Sequence, residues 1–203
     1  MNQGADVAYI NVEHSDEKLM AQAADGDADA FAALVRRYEK PLYQYLRRML
    51  GSRTDAEDVF QETFLRVHQH AGRYRRGEPF RPWVYKIATN LCRDRLRKRR
   101  RHPQVSLDAP VGADADKPSP LERVTDGHAS PDQSARKAEA LVRLQEALGE
   151  LPAKQRAVFL MARYDEMPYD EIAQSLQVPV GTVKSRMNKA VHFLMQAIQD
   201  IWP

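Results

Sequence analysis

The sequence contains a single cysteine, Cys92, among its 203 residues. One thiol cannot form an intramolecular disulfide, and no Cys/His set has the spacing of a zinc site. No continuous apolar segment is long enough to cross a bilayer, and residues 1–17 lack the apolar core of a signal peptide. These absences predict a soluble, cytoplasmic protein in a reducing compartment, with Cys92 packed in a helix rather than reactive.

Arrangements of residues that carry catalysis are equally scarce. The Ser and His residues form no nucleophile motif, and no glycine-rich loop could cradle a phosphate. Asp55, Asp58 and Glu62 share one helix face, but no second acidic segment completes the coordination of a catalytic Mg²⁺. We therefore predict a non-catalytic protein with no metal and no other cofactor.

Strand-like alternation is also missing, whereas apolar residues recur at helical spacing over most of the chain. Five prolines interrupt this pattern between His102 and Asp132, where acidic residues outnumber basic ones and no apolar periodicity remains. We expect an all-α protein of two small helical domains joined by a flexible linker. The predicted organisation is a flexible N-terminal arm (residues 1–14), a first domain (15–102), an acidic, proline-rich linker (103–132) and a second domain (133–203).

Capping residues and apolar spacing predict four helices in the first domain. They run from Ser15 or Asp16 to Gly26, from Asp27 or Asp29 to Gly51, from about Thr54 to His70, and from about Arg81 to Arg101. Pro41 is expected to kink the second helix. Phe60, Phe64 and Val67 form the predicted inner face of the third, and Trp83, Ile87 and Leu91 that of the fourth.

The segment from Tyr169 to Ile198 reads as two helices joined by a tight turn at residues 177–181. Apolar faces are predicted at Ile172, Ala173 and Leu176 in the first helix, and at Val183, Met187, Val191 and Leu194 in the second. The second helix then presents a polar and basic face, which favours a DNA-reading helix-turn-helix over an ordinary amphipathic hairpin. The outward residues are Thr182, Lys184, Ser185, Arg186, Asn188, Lys189 and His192.

The fourth helix of the first domain carries a second basic face. The net charge is only +3, so the basic residues matter through their clustering, which is densest in residues 93–101. Lys86, Asn90, Arg93 and Arg97 recur at helical spacing, and mutual repulsion in this run is expected to require neutralisation by phosphates. The aromatic residues Tyr74, Phe80, Trp83 and Tyr85 lie close by and could stack on unpaired bases. We favour single-stranded DNA binding over a merely solubilising charge run.

The third helix has the opposite charge at its start. Asp55 and Asp58 are explained by the preference for acids at a helix N-terminus, but Glu62, beside Phe60 and Phe64, is not. An acidic and apolar helix face suits docking to a basic partner protein, and this interpretation stands beside the purely stabilising one.

The order of these features resembles the extracytoplasmic-function branch of the bacterial sigma-70 family. The resemblance covers residues 16–200 and is carried by DAEDVFQETFLRVHQH, FRPWVYKIATNLCRDRLRKRRR, LPAKQRAVFLMARYDEMPYDEIA and VPVGTVKSRMNKA. It implies a specificity subunit that binds core RNA polymerase, through the clamp helices of the largest subunit and the β-flap, and promoter DNA. It also implies an anti-sigma factor as a partner, without membrane insertion.

The resemblance also implies roles for individual residues. Polymerase docking would involve Asp55, Asp58, Gln61, Glu62 and Phe64. The −10 element would be bound by Tyr74, Arg75, Trp83, Lys86, Asn90, Arg93 and Arg97, with Tyr74, Arg75 and Asn90 around a flipped base and Trp83 supporting it. The −35 element would be bound by Pro179, Gly181, Thr182, Lys184, Ser185, Arg186, Asn188 and Lys189.

Two other classes of protein remain as alternatives. An autonomous helix-turn-helix regulator would normally dimerise on a palindrome, and it would leave the first domain unexplained. A metal-dependent nuclease lacks a ligand set. Glu62→Lys separates the three, because it should abolish polymerase binding in a sigma factor, spare operator binding in a regulator, and abolish cleavage in a nuclease.

Overall fold

The structure is a computed structural model that describes residues 14–101 and 131–200, with side chains from residue 138 onward in the second range. Within these ranges the chain forms eight α-helices and no strand. The helices are α1 (Asp16–Ala24), α2 (Ala28–Leu50), α3 (Arg53–Gln69), α4 (Phe80–Arg101), α5 (Pro131–Glu150), α6 (Ala153–Arg163), α7 (Tyr169–Leu176) and α8 (Val180–Gln196). The predicted all-α fold is confirmed. The predicted arm, except His14, and the predicted linker, except residues 131–132, lie outside the described residues.

Local capping explains where the first helices begin and end. The Ser15 hydroxyl accepts a hydrogen bond from the Lys18 N–H at the start of α1, and the Asp27 carboxylate accepts two at the start of α2. Gly51 ends α2 with φ +66°, a left-handed conformation that favours glycine. Pro41 lies inside α2, and the helix continues through it. The predicted starts of α1 and α2 and the predicted end of α2 at Gly51 are confirmed.

The core of the first domain is built around α2. Its inner face buries Leu34, Tyr38, Leu42, Leu46 and Met49, which recur at helical spacing. α1, α3 and α4 pack around this stripe. On α3, Phe64 and Val67 are buried while Phe60 is only partly covered. The buried Tyr45 hydroxyl lies 2.7 Å from the Thr89 hydroxyl, which ties α2 to α4.

The predicted helix-turn-helix is present as α7 and α8. α7 ends at Gln177, which has a left-handed φ of +53°, and Pro179 precedes α8. Val183, Met187 and Leu194 are buried as expected, but Val191 is 41% exposed and Ala190 is fully buried in its place. The prediction for Val191 was wrong. Positions 183, 187, 190 and 194 are separated by four, three and four residues and so share one helix face, and position 191 lies beside that face.

The two predicted domains pack against each other, with α7 on α4 and α6 on α2. One continuous cluster of buried side chains extends through both. Arg156 of α6 is 8% exposed and donates hydrogen bonds to the backbone oxygens of Met49 (2.8 Å) and Leu151 (3.0 Å). The sequence predicted domains on a tether, and the tertiary structure brings them together.

Candidate nucleic-acid interface

The first candidate surface is the N-terminal half of α8. Pro179, the N-cap residue, and Gly181 begin this surface and are exposed. Lys184, Ser185, Asn188 and Lys189 are exposed, while Thr182 and Arg186 are half-buried. None of the three cations has an ion-pair partner among the residues that the structure describes. Free backbone N–H groups at a helix start and unpaired cations both attract phosphates.

A second surface runs along α4. Trp83, Lys86, Asn90, Arg93 and Arg97 follow one another at spacings of three or four residues, so they share one helix face. Asn90, Arg93 and Arg97 are exposed, whereas Trp83 and Lys86 are half-buried. Arg97 pairs with Asp94 at 2.6 Å. The predicted basic ridge therefore exists as a continuous stripe about four turns long.

The aromatic residues near the start of α4 form a packed cluster. The Trp83 ring lies 5.3 Å from the Tyr74 ring and 6.0 Å from the Phe80 ring, between centroids. Phe80 and Tyr85 are fully buried, so the prediction that they stack on bases was wrong: they belong to the core. Tyr74 is only 9% exposed, and burial raises its pKa to about 12. Trp83 is the one ring of the four with substantial free surface.

The loop between α3 and α4 is held in place by contacts to α1. The Tyr74 hydroxyl donates to the backbone oxygen of Glu78, and the Arg76 Nη2 group donates to both carboxylate oxygens of Asp25, at 2.7 and 2.8 Å. Glu17 of α1 accepts a hydrogen bond from the Phe80 N–H and so caps α4. These contacts fix the loop beside Trp83.

The structure brings together only part of the predicted base pocket. Tyr74 and Trp83 are in contact, and the exposed Arg75 lies close to them in the loop, 3.5 Å from Glu78. Asn90 lies two helical turns beyond Trp83, about 10 Å along the axis. A nucleotide strand that extends along α4, rather than one compact pocket, would reach all four residues.

The acidic side chains of α3 have partners on neighbouring turns and on α4. Asp55 lies 2.6 Å from Arg95 and 3.7 Å from Arg99, and Asp58 lies 2.7 Å from Arg95. The basic run is thus neutralised in part by α3 carboxylates, whereas the sequence suggested phosphates alone. Basic residues of the run that lack ion-pair partners among the described residues are Arg93, Lys98, Arg100 and Arg101.

The exposed face of α3 differs from the predicted one. Phe64 is 5% exposed and belongs to the core, which corrects its assignment to a docking surface. Gln61 is exposed, and Glu62 pairs with Arg66 at 2.8 Å while keeping 41% of its side chain accessible. Leu65 is 51% exposed and was missed, although its position four residues after Gln61 places it on the same face.

Parts of the two candidate nucleic-acid surfaces line one cleft of about 1730 Å³. The first surface contributes Thr182, Ser185, Arg186 and Lys189 to its lining. The second contributes Asn90, Arg93 and Arg97. Because acidic lining residues are few, the cleft has a strongly positive potential. No local sequence pattern indicated this juxtaposition.

Comparison with known proteins assigns both halves of the chain. Residues 34–102 match the family model of Sigma-70 region 2, and residues 141–194 match that of Sigma-70, region 4. The chain is 35% identical over 185 residues to the ECF RNA polymerase sigma factor SigW of Bacillus subtilis, covering 91% of this chain and 97% of that protein. The chain belongs to the extracytoplasmic-function branch of the sigma-70 family. Its function is to direct RNA polymerase to promoters.

Other relatives support the same assignment. This sigma factor is 33% identical to the ECF RNA polymerase sigma factor SigM of Mycobacterium tuberculosis, over 88% of this chain and 82% of that one. The solved structure of CnrH in complex with the cytosolic domain of CnrY superposes with a TM-score of 0.64 at 27% identity, covering 93% of this chain and 99% of CnrH. Among the described helices, none is long and apolar enough to cross a membrane.

Proposed function

We propose that this sigma factor reads the −35 element with α8 and captures the −10 element with α4 and the preceding loop, as a non-catalytic, cytoplasmic subunit of RNA polymerase. The observation that carries the proposal is the presence of two separate helix faces with exposed cations, one in each matched sigma region. Each face also presents amide, hydroxyl or aromatic groups that can contact bases.

At the −35 element, α8 would enter the major groove with its N-terminal turns. Lys184 and Lys189 suit phosphates, since they are exposed and flexible. Arg186 and Asn188 carry groups that can pair with guanine and adenine edges respectively, and Ser185 can contact either. Pro179, Gly181 and Thr182 would bring the backbone of the helix start close to a phosphate.

At the −10 element, the DNA would be single-stranded. Trp83 offers a partly exposed ring for stacking, and Tyr74 supports that ring from behind. Lys86, Arg93 and Arg97 would follow the strand's phosphates along α4 while Asn90 contacts a base. Arg75, exposed in the loop, would meet the strand beyond Trp83.

Core RNA polymerase would dock on the exposed face of α3. Asp58, Gln61, Glu62 and Leu65 present acidic, amide and apolar groups there. Asp55 would act indirectly, because its ion pairs hold Arg95 and Arg99 against α3. The β-flap would bind the second domain. An anti-sigma factor is a further expected partner, since a solved structure of similar fold holds a sigma factor in complex with an anti-sigma factor.

Run-off transcription with purified core polymerase and genomic promoter fragments tests the proposal. We expect discrete new transcripts that depend on this protein and disappear with Glu62→Lys. The Lys184→Ala/Lys189→Ala pair should weaken duplex −35 binding and reduce its salt slope by about two. Lys18→Ala, at an exposed lysine of α1, is the matched control and should change neither result.

The same experiment discriminates the alternatives. Absence of transcripts, with the free protein footprinting a palindromic duplex, would contradict the sigma mechanism and favour an autonomous regulator. Unchanged affinity for the −35 duplex, with an unchanged salt slope, in the double lysine variant would contradict the assigned role of α8.

A further inference from the structure

The short helix α1 is anchored to the core of the first domain by contacts that do not involve the α3–α4 loop. Leu19 and Met20 are fully buried. The Asp16 carboxylate accepts a hydrogen bond from the Tyr38 hydroxyl and pairs with Arg37, both on α2. Because these contacts fix α1 on α2, α1 can serve as a rigid support for the elements that lie on its other side.

The start of α4 depends on α1 for its cap. The residue before Phe80 is Pro79, whose ring carries no hydrogen-bond acceptor. The Glu17 carboxylate of α1 accepts from the Phe80 N–H at 3.2 Å, although 63 positions separate the two residues. Glu17 also lies in the first turn of α1, where an acid is favoured by its own helix, but it is half-buried and reaches the next element. It supplies the acceptor that a local N-cap residue would otherwise provide.

Asp25, at the opposite end of α1, has no stabilising role within its own helix. It is the C-cap residue, where a carboxylate meets the negative end of the helix dipole, and the last turn of α1 contains no basic residue. Its two oxygens instead accept from Arg76 in the α3–α4 loop, at 2.7 and 2.8 Å. The favourable contact of Asp25 is therefore with the loop.

The two contacts act on the segment that lies beside Trp83. Residues 74–79 connect Tyr74 to the start of α4, and the Tyr74 ring packs on Trp83 at 5.3 Å between centroids. Glu17 also faces the Tyr74 hydroxyl, since its negative charge, after burial, contributes to raising the pKa of Tyr74. Both ends of α1 thus contact the segment whose side chains were assigned to the −10 element.

We propose that Glu17 and Asp25 are positioning residues of the −10 site, which hold residues 74–79 and the first turn of α4 in the geometry that selects a base. The inference rests on the proposed function, because it concerns the strand that α4 and the loop capture. Asp25 has a second effect. By holding Arg76 it withdraws one cation from the strand, which favours selection by base over attraction to any phosphate.

Binding of single-stranded oligonucleotides to the reconstituted holoenzyme tests the proposal. The oligonucleotides carry the −10 sequence of a promoter identified by run-off transcription, either intact or with one base changed, and the ratio of the two dissociation constants measures discrimination. Glu17→Ala should lower this ratio at least fivefold. Glu17→Gln should retain most of it, because the amide oxygen can still accept from the Phe80 N–H.

Asp25→Ala should give a different signature. We expect a two- to fivefold lower ratio together with a salt slope steeper by about 0.7, because the released Arg76 gains one phosphate contact on single-stranded DNA. Arg76→Ala should lower the ratio without steepening the slope. Exchange of the two charges, in Asp25→Arg/Arg76→Asp, should restore the ratio. A merely structural role of Asp25 would not change the salt slope.

Glu39→Ala, at an exposed acid of α2, is the matched control and should change neither the ratio nor the slope. Melting temperature and binding of the free protein to a −35 duplex report whether each variant is folded. Unchanged ratios in folded Glu17→Ala and Asp25→Ala would overturn the proposal, and if Glu17→Ala does not fold, an unchanged ratio in Asp25→Ala alone would do so. A wild-type holoenzyme that does not discriminate between the oligonucleotides would instead contradict the proposed function.

Discussion

Asp165→Asn is the substitution with the most sharply defined consequence. Burial raises the pKa of Asp165 to about 7, from an ordinary 3.8, because its carboxylate loses water at the contact between the two domains. The Tyr85 hydroxyl and the guanidinium groups of Arg81 and Arg48 lower that pKa, but by less than burial raises it. Asparagine has nearly the same shape and cannot ionise.

The sign of the pH effect follows from the raised pKa. The folded chain binds the proton of Asp165 more tightly than the unfolded chain, so the free energy of unfolding falls as pH rises from about 4 to about 7. The loss is complete and constant above about pH 8, where the carboxyl is almost fully ionised. Raising the pH from 4.5 to 8 should therefore lower the free energy of unfolding of the wild type by about 3 kcal/mol through Asp165. The Asn variant should not show this loss.

Urea unfolding followed by far-UV circular dichroism measures this difference. The change in unfolding free energy between the two pH values is compared for wild type and variant, so any effect of the substitution that does not depend on pH cancels. Asp170→Asn, at an exposed aspartate of α7, is the control and should give a difference near zero. A value near zero for Asp165→Asn as well would refute the burial of this carboxylate between the domains.

Three further predictions concern side chains whose roles the structure separates. Phe80→Ala should lower the free energy of unfolding by about 3–5 kcal/mol in a denaturation experiment. Trp83→Ala should change the free energy of unfolding far less. It should instead reduce promoter opening, measured by permanganate footprinting. Leu65→Asp should weaken binding to core polymerase severalfold in a titration while leaving the melting temperature unchanged. Arg156→Met should cost about 1–3 kcal/mol in denaturation, because the backbone oxygens of Met49 and Leu151 lose their donor.

Local features of the first domain could be predicted well, because their causes lie within a few residues. Ser15 and Asp27 cap helices through hydrogen bonds to residues two or three positions away. The buried stripe of α2 follows from a repeat of 3.6 residues per turn. The helix-turn-helix has the same local origin, and its one error, Val191, was a displacement by one residue.

Burial between elements could not be read from the same patterns. Phe80 and Tyr85 were assigned to a binding surface, and Phe64 was assigned both to the inner face of its helix and to a docking surface, because aromatic rings serve both in cores and in recognition. The packing of α4 against α1 and α2 shows that the first two are core residues, and the burial of Phe64 decides between its two assignments. Leu65 was overlooked because an apolar residue at helical spacing is more often buried than exposed, and Leu65 is exposed.

The sequence by itself therefore determined the helices, their caps, the helix-turn-helix and the family, since each depends on short-range geometry or on motifs that stand in the chain. Tertiary structure alone decided the shared cleft and the contacts between the two domains. Arg81 and Asp165 are 84 positions apart, and Arg156 and Met49 are 107 positions apart. Contacts at such separations leave no local signature, because they arise only when whole helices bury their apolar faces together.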